Sequence, residues 1–155
     1  MFVVTGATGN IGSRVALALR ARGEQVRAFV RDPARAAARL GAGIQRAVGD
    51  FEDVASLRAA LDGADALFLA TANHPRQAEH ERAILDAAAA AGVARVVKLS
   101  AVGAQAGSPL AFWDHQGRAE EHVRRSGILA VILRPSFYMT NLLASADADR
   151  GSLES

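Results

Sequence analysis

The sequence predicts an α/β fold, a doubly wound parallel sheet of six strands with helices on both faces. Short apolar runs alternate with longer helical patterns along most of the chain. Several of these runs are continuously apolar, as strands covered on both faces must be. A glycine-rich loop also joins the first apolar run to the first helical pattern. Strands that alternate with helices form βαβ units and therefore a parallel sheet.

The elements can be placed along the chain from their apolar spacing. The predicted strands are the apolar runs 2–4, 25–30, 44–48, 64–70, 94–99 and 128–133. In the first helix, Ile11, Val15 and Leu19 repeat at the spacing of a buried helical face, and Gly23 follows as a stop. The second helix begins at Pro33, and the remaining three span 53–61, 77–91 and 114–125.

Length and composition limit the class of protein. A chain of 155 residues suits one domain, which we place at 1–146, followed by a polar tail at 147–155 that is either expression-derived or the end of a truncation. A hydrophobic fraction of 50% excludes a disordered protein. The lack of cysteine excludes a disulfide scaffold and a cysteine nucleophile, and it favours the cytoplasm.

Charge and hydropathy argue against nucleic-acid and membrane partners. The net charge is +2, and the 18 basic residues, of which only Lys98 is lysine, are spread along the chain among acids. Nucleic-acid binders usually concentrate such charge on one face. No apolar stretch approaches the roughly 20 residues of a membrane span. His74 and His80 lack the spacing of metal ligands, so we expect no metal site.

The glycine-rich loop carries the strongest functional signal. Thr5 is followed by Gly6, Gly9 and Gly12, with Thr8, Asn10 and Ile11 between them. Glycines at this spacing permit a tight turn, let the backbone approach a pyrophosphate and bring the helix close to the strand. The helix N-terminus then meets the phosphates. The strand–loop–helix context therefore predicts a Rossmann dinucleotide site, against the alternative of an ordinary glycine-rich turn.

The end of the second strand predicts which dinucleotide is bound. An acid there suits the ribose 2′-hydroxyl of NAD, whereas an arginine suits the 2′-phosphate of NADP. Arg31 stands at this position, 19 residues after Gly12, and Arg35 lies one helical turn away. Asp32 favours NAD, but it also fits an N-cap before Pro33. We therefore expect NADP(H) to be preferred, with NAD(H) possible; Arg31 could also be one more arginine of an arginine-rich chain.

Two further strand ends add candidate binding residues. Asp50 and Phe51 follow the third strand, where an adenine would be bonded and stacked, although Asp50 fits a turn equally well. Ala70, Thr71 and Asn73 follow the fourth strand, where small residues leave room beside the ribose and nicotinamide.

Five segments of the chain together resemble those of a known family. They are the glycine loop, Val30–Arg31–Asp32–Pro33, Gly49–Asp50, Lys98–Leu99–Ser100–Ala101 and the segment 133–141. In this combination they resemble the NmrA-like atypical short-chain dehydrogenase/reductases. The resemblance covers nearly the whole chain to about residue 146. It implies that NADP(H) binds at Thr8 to Gly12, Arg31, Asp50, Phe51, Ala70 to Asn73, Ser100, Ala101, Pro135, Ser136, Phe137 and Tyr138.

Two departures from the family concern catalysis. Relatives continue into a substrate-binding region, and this chain ends before it. The usual Tyr–Lys catalytic pair is absent as well, since Tyr138 is followed four residues later by Leu142. Some relatives place Lys or His on the fifth helix. If Glu120 is the matching acid, the position of that Lys or His falls on Gln116, whose amide could orient a substrate carbonyl. His115 lies beside it. It could titrate near neutral pH, or it could simply be a half-exposed helix residue.

These observations predict an NADPH-dependent reductase that transfers hydride to quinone-like or other small electrophiles. The alternatives are a non-catalytic NADP sensor and a truncated domain without a complete substrate site. Glu120 and Glu121 beside Arg124 and Arg125 are expected to form a solvated, salt-bridged helix face. Without the later region, we also expect feeble turnover and self-association through residues 135–146.

Overall fold

The computed structural model describes residues 1–136 and 138, and it contains one parallel sheet of six strands. The strands are β1 (Phe2–Val4), β2 (Val26–Val30), β3 (Gln45–Val48), β4 (Ala66–Leu69), β5 (Arg95–Leu99) and β6 (Leu129–Leu133). Their spatial order is β3-β2-β1-β4-β5-β6. Every neighbouring pair is parallel. The predicted fold class is confirmed.

Five helices connect the strands. They are α1 (Asn10–Ala21), α2 (Pro33–Leu40), α3 (Val54–Leu61), α4 (Gln77–Ala90) and α5 (Ala111–Arg125). The predicted strands are one or two residues too long at some ends, and α5 begins three residues before the predicted Asp114. Within the described part of the chain, none of the helices is long and apolar enough to cross a membrane.

The sheet separates two apolar layers, because successive side chains of a strand point to opposite faces. Val3 of β1 packs with Leu57, Ile84 and Val123, on the side of α3, α4 and α5. The next residue, Val4, packs on the other side with the residues of α1 and α2. Burial on both faces explains why the strands read as continuous apolar runs rather than as alternating ones.

Candidate active site

A crevice of about 360 Å³ opens at the carboxyl ends of the strands, beside the point where the strand order reverses between β1 and β4. Ligands of open α/β sheets bind at such a point. We call this cavity the cofactor crevice. It is lined by Gly6, Ala7, Thr8, Gly9, Asn10, Ile11, Gly12, Phe29, Val30, Arg31, Arg35, Phe51, Ala70, Thr71, Ala72, Leu99 and Tyr138.

The glycine loop forms one wall of the crevice, and its close packing requires glycine at two positions. Gly6 has a φ of +61°, and a Cβ there would lie 2.7 Å from the carbonyl oxygen of Ala70. A Cβ on Gly12 would collide with the carbonyl group of Gly6. The loop therefore folds tightly between the end of β4 and the start of α1.

The N-terminus of α1 is exposed to the crevice. Gly9 is the N-cap residue, and no side chain caps the helix there. The first N–H groups of a helix lack partners within it, and the helix dipole adds positive potential. The loop thus provides backbone donors where a pyrophosphate would sit, so its geometry fits the predicted cofactor.

Thr5 ties the ends of β1 and β4 together beneath this loop. Its hydroxyl donates to the carbonyl oxygen of Ala70 at 2.8 Å and accepts from the Ala70 amide at 2.9 Å. Thr5 is buried, so these bonds are shielded from water. They hold two walls of the crevice at a fixed separation.

Arginines surround the end of the crevice next to α2. Arg31 is exposed and lines the crevice, and its guanidinium pairs with no acid or acceptor among the described residues. Arg35 lines the same cavity and an adjoining open cleft, together with Arg39. The Arg39 guanidinium donates to the hydroxyl of Ser13 at 3.2 Å. Sequence reasoning missed Arg39, although it lies one further helical turn after Arg35.

The ambiguity over Asp32 is resolved by its hydrogen bonds. Its carboxylate accepts from the amides of Ala34 at 2.9 Å and Arg35 at 3.0 Å, and Pro33 is the first residue of α2. Asp32 is therefore the N-cap residue of α2, the alternative weighed from the sequence. Both amides bond to the same carboxylate oxygen, Oδ1.

Asp50 and Phe51 follow β3 but differ in position. Asp50 is exposed, does not line the crevice, and accepts from the amide of Glu52 at 2.9 Å, which is the turn role considered above. Phe51 lines the crevice and stacks on Phe29, with ring centroids 5.5 Å apart. Of the two, Phe51 is the residue that lines the crevice, and the contact of Asp50 with an adenine stays a prediction.

A second cavity of about 310 Å³ continues from the cofactor crevice, and we call it the inner pocket. Thr71, Leu99 and Tyr138 line both cavities. The other lining residues are Asn73, Gln77, Ser100, Ala101, Phe112, Gln116, Pro135 and Ser136. The structure thus brings together most of the predicted cofactor residues, including those at the ends of β4, β5 and β6.

The two candidate catalytic residues on α5 are placed differently. Gln116 is buried and lines the inner pocket. His115 is half-buried and lines neither cavity, and its Nδ1 has no hydrogen-bond partner among the described residues. Of these two residues, Gln116 is therefore the one whose position fits contact with a ligand in the inner pocket.

A buried ion pair lies behind the inner pocket, and the sequence analysis did not find it. The ammonium group of Lys98, on β5, is 2.6 Å from a carboxylate oxygen of Glu81, on α4, and both side chains are fully buried. Two signals were available. Lys98 is the single lysine, set within an apolar strand, and Glu81 shares the helical face of Ile84, Leu85 and Ala88.

The expectation of a solvated face at Glu120 and Glu121 is wrong for Glu120. Glu121 and Arg125 do form an exposed ion pair, but Glu120 is buried and its carboxylate binds Arg134 and Arg124. The hydroxyl of Ser100 also donates to Glu120 at 2.6 Å. The face of α5 that carries Glu120 turns towards the chain after β6, where Arg134 supplies the balancing charge.

These contacts set the ionisation of Glu120. Burial alone would raise the pKa of its carboxyl, but hydrogen bonds from Arg134, Ser100 and Arg124 outweigh burial and lower the pKa to about 2. Glu120 is therefore ionised at neutral pH, and it anchors the segment that leads to Pro135 and Ser136. Burial raises the pKa of Tyr138, so its hydroxyl keeps its proton in the same range.

The rest of the C-terminal predictions fall outside the described residues. Phe137 and residues 139–155 belong there, so the predicted domain end at 146, the tail at 147–155 and most of the self-association segment at 135–146 stay predictions. Within the described residues, Pro135, Ser136 and Tyr138 line the inner pocket.

Comparison with known proteins identifies the family. A family model described as NAD(P)H-binding matches residues 6–147. The chain is 37% identical over 150 residues to the NAD(P)H azoreductase of Xenophilus azovorans, which covers 97% of this chain and 52% of that protein. It is also 37% identical over 151 residues to quinone oxidoreductase 2 of Escherichia coli, with 96% of this chain and 52% of that protein covered.

Solved structures agree with these matches. The NADPH complex of the Escherichia coli NADPH-dependent quinone oxidoreductase gives a TM-score of 0.83 at 36% identity, over 96% of this chain and 53% of that one. Triphenylmethane reductase of Citrobacter sp., complexed with NADP(H), gives 0.79 at 25% identity, over 95% and 55%. The chain thus spans about half the length of these relatives. It belongs to the NAD(P)H-binding family, among the NmrA-like reductases.

Proposed function

We propose that this chain is the cofactor-binding part of an NADPH-dependent reductase whose substrates are quinone-like or other small electrophiles. The observation that carries the proposal is the continuity of the two cavities. The cofactor crevice begins at the glycine loop and Arg31, and it runs past Thr71 and Leu99 into the inner pocket. A dinucleotide laid along the crevice would end with its nicotinamide at the entrance to that pocket.

NADP(H) is the preferred cofactor in this proposal. Arg31, at the end of β2, lines the crevice and makes no ion pair or hydrogen bond with the described residues, Arg35 lines the same crevice, and Oδ1 of Asp32 caps α2. A 2′-phosphate would meet the positive charges of Arg31 and Arg35 there. The relatives solved with NADPH and NADP(H) support the same preference.

When bound, reduced nicotinamide supplies the hydride, and the chain's own residues orient the reactants and shape their surroundings. The inner pocket combines apolar surface from Leu99 and Phe112 with the amide of Gln116. The apolar surface excludes water from one side of a flat acceptor, and the amide provides a neutral hydrogen-bonding group. The hydroxyl of Ser100 is directed to Glu120 and not to the pocket. The proton that completes reduction of a quinone then comes from water.

The proposal is tested by NADPH oxidation with a panel of quinones under anaerobic conditions. We expect one hydroquinone to form for each NADPH consumed, and faster turnover with NADPH than with NADH at limiting concentration. An NADP-sensing protein would bind the cofactor and reduce none of the panel, and that result would contradict the proposal. Azo compounds extend the panel, because one relative is an azoreductase.

A further inference from the structure

The buried ion pair behind the inner pocket contacts Gln116 directly. The Lys98 ammonium donates to the Gln116 side-chain oxygen at 2.7 Å and to the carbonyl oxygen of Leu99 at 3.0 Å, and it lies 2.6 Å from Glu81. The contacts with Gln116 and Leu99 are hydrogen bonds, and the contact with Glu81 Oε2 is an ion pair without hydrogen-bond geometry. Lys98 does not line the inner pocket itself, so its charge acts on the pocket through Gln116.

Glu81 is held in place from its other side. One carboxylate oxygen accepts from the hydroxyl of Thr71 at 2.6 Å and from the side-chain nitrogen of Gln77 at 3.2 Å. That nitrogen also donates to the Thr71 hydroxyl oxygen at 3.0 Å. The ion pair is therefore part of a packed network that fixes the position of Lys98 as well.

We propose that Lys98, held by Glu81, is a positioning residue that fixes the amide of Gln116 with its nitrogen towards the inner pocket, so that the pocket selects ligands which offer an oxygen acceptor there. This inference rests on the proposed function. It adds that the inner pocket presents a hydrogen-bond donor to its ligand and that Lys98 determines this orientation.

The chemistry of the ammonium group decides which way the amide lies. An ammonium group has donors and no acceptor, so the atom of Gln116 that faces Lys98 must be oxygen. A reversed amide would set its N–H groups against the buried positive charge and leave donors unpaired. Among the described residues, the hydrogen bond of the Gln116 side chain is the one that its oxygen accepts from Lys98, so its N–H groups are available to a ligand in the pocket that Gln116 lines.

This polarity has a consequence for substrate class. A charge-bound carbonyl oxygen polarises the amide and strengthens its N–H as a donor. Such a donor stabilises the negative charge that develops on a carbonyl oxygen when hydride arrives. An amide releases no proton at ordinary pH, however. The site therefore suits acceptors whose reduced oxygen is a stable anion, as in quinones, better than aldehydes and ketones, whose alkoxides require an acid.

The first experiment removes the donor without adding a charge. Gln116→Met has nearly the same length and shape, but it presents a thioether to the pocket instead of an N–H. We expect the affinity for 2-methyl-1,4-naphthoquinone, measured by calorimetry with saturating NADP⁺ so that no reduction occurs, to fall about tenfold or more, which corresponds to about 1.4 kcal/mol. The variant should keep the circular dichroism spectrum of the folded chain, which shows that the loss of quinone affinity is not a loss of the fold. Unchanged quinone affinity would overturn the assignment of the donor.

The second experiment tests Lys98 by coupling. Lys98→Met alone would leave Glu81 as an unpaired buried charge, so it is combined with Glu81→Gln, whose amide oxygen can still accept from Thr71. We expect this pair of changes to weaken the quinone affinity at least threefold. Adding Gln116→Leu to this double variant should then weaken the quinone affinity by a much smaller factor than Gln116→Leu does in the otherwise unchanged chain. The reason is that the donor has already lost its orientation.

A matched control separates positioning from stability. Leu85 is a buried core residue of α4 that does not line the inner pocket, and Leu85→Ala removes most of its side chain. It should lower the melting temperature and leave the quinone affinity unchanged. If the losses of quinone binding free energy from Lys98→Met with Glu81→Gln and from Gln116→Leu are fully additive, the positioning role is overturned. If the unaltered chain neither binds nor reduces quinones, the proposed function fails as well, whereas reduction without coupling overturns this inference alone.

Discussion

The substitution Arg31→Ala tests cofactor selection without disturbing the fold. Arg31 is exposed, and its guanidinium makes no ion pair or hydrogen bond with the described residues, so the free energy of unfolding should stay within about 0.5 kcal/mol. NADP(H) carries a 2′-phosphate that NAD(H) lacks. Any selective loss of affinity therefore reports the contact between this phosphate and the guanidinium.

The size of that loss follows from the setting of Arg31. A hydrogen bond to a charged group contributes about 1.5–3 kcal/mol, or roughly a 10- to 100-fold change in affinity. Arg31 is open to solvent, and Arg35 and Arg39 remain nearby, so we expect the lower end, about tenfold for NADPH. Because salt screens exposed charges, the effect should shrink as ionic strength rises.

The assay is a fluorescence titration of the chain with NADPH and with NADH. Arg46→Ala is the matched control, because Arg46 is an exposed arginine on β3 that does not line the crevice. We expect Arg31→Ala to weaken NADPH about tenfold and NADH less than twofold, and Arg46→Ala to change neither. Equal losses for both cofactors would refute the reasoning, since they would mean that Arg31 stacks on the adenine and ignores the phosphate.

Three further predictions concern the loop, Glu120 and association. Gly9→Val should abolish dinucleotide binding, because Gly9 lines the crevice. It should leave the helical circular dichroism nearly unchanged, because Gly9 has an ordinary φ of −82°. Gly12→Val should instead unfold the loop, because a Cβ there collides with the Gly6 backbone. Glu120 has a folded pKa of about 2 against 4.5 for the free group, so its stabilisation is complete above pH 4.5 and is lost as the pH falls towards 2. Chemical unfolding should accordingly show Glu120→Gln to be roughly 3 kcal/mol less stable at pH 6, with a smaller difference at pH 3; an equal difference at both would contradict this. The segment 135–146 should drive self-association, and a monomer by light scattering at about 100 μM would contradict it.

The fold could be predicted because each of its signals is local. The glycine loop, the Asp32–Pro33 cap and the continuous apolar strands are each determined by a few neighbouring residues, and a regular parallel sheet follows from their order. The start of α5 was placed too late because its first turn, at Ala111 to Trp113, is apolar on all sides and exposed, so it shows no amphipathic spacing, and no side chain caps it.

The site could be predicted only where one strand end determines it. Lys98, Glu81 and Gln116 come from β5, α4 and α5, and their contacts depend on how those elements pack. The same holds for Glu120, whose partner Arg134 lies 14 residues later, after β6. Charge patterns along one helix cannot reveal such partners, and this explains why Glu120 was assigned to the solvated face.

The central claim is that one continuous groove binds NADP(H) and presents its nicotinamide to the inner pocket, and a crystal structure of the chain with NADP⁺ tests it most directly. We predict the pyrophosphate at the N-terminus of α1, the 2′-phosphate against Arg31, and the nicotinamide beside Thr71 and Leu99, facing Gln116. A dinucleotide bound with its nicotinamide away from that pocket, or with its 2′-phosphate away from Arg31, would contradict the account.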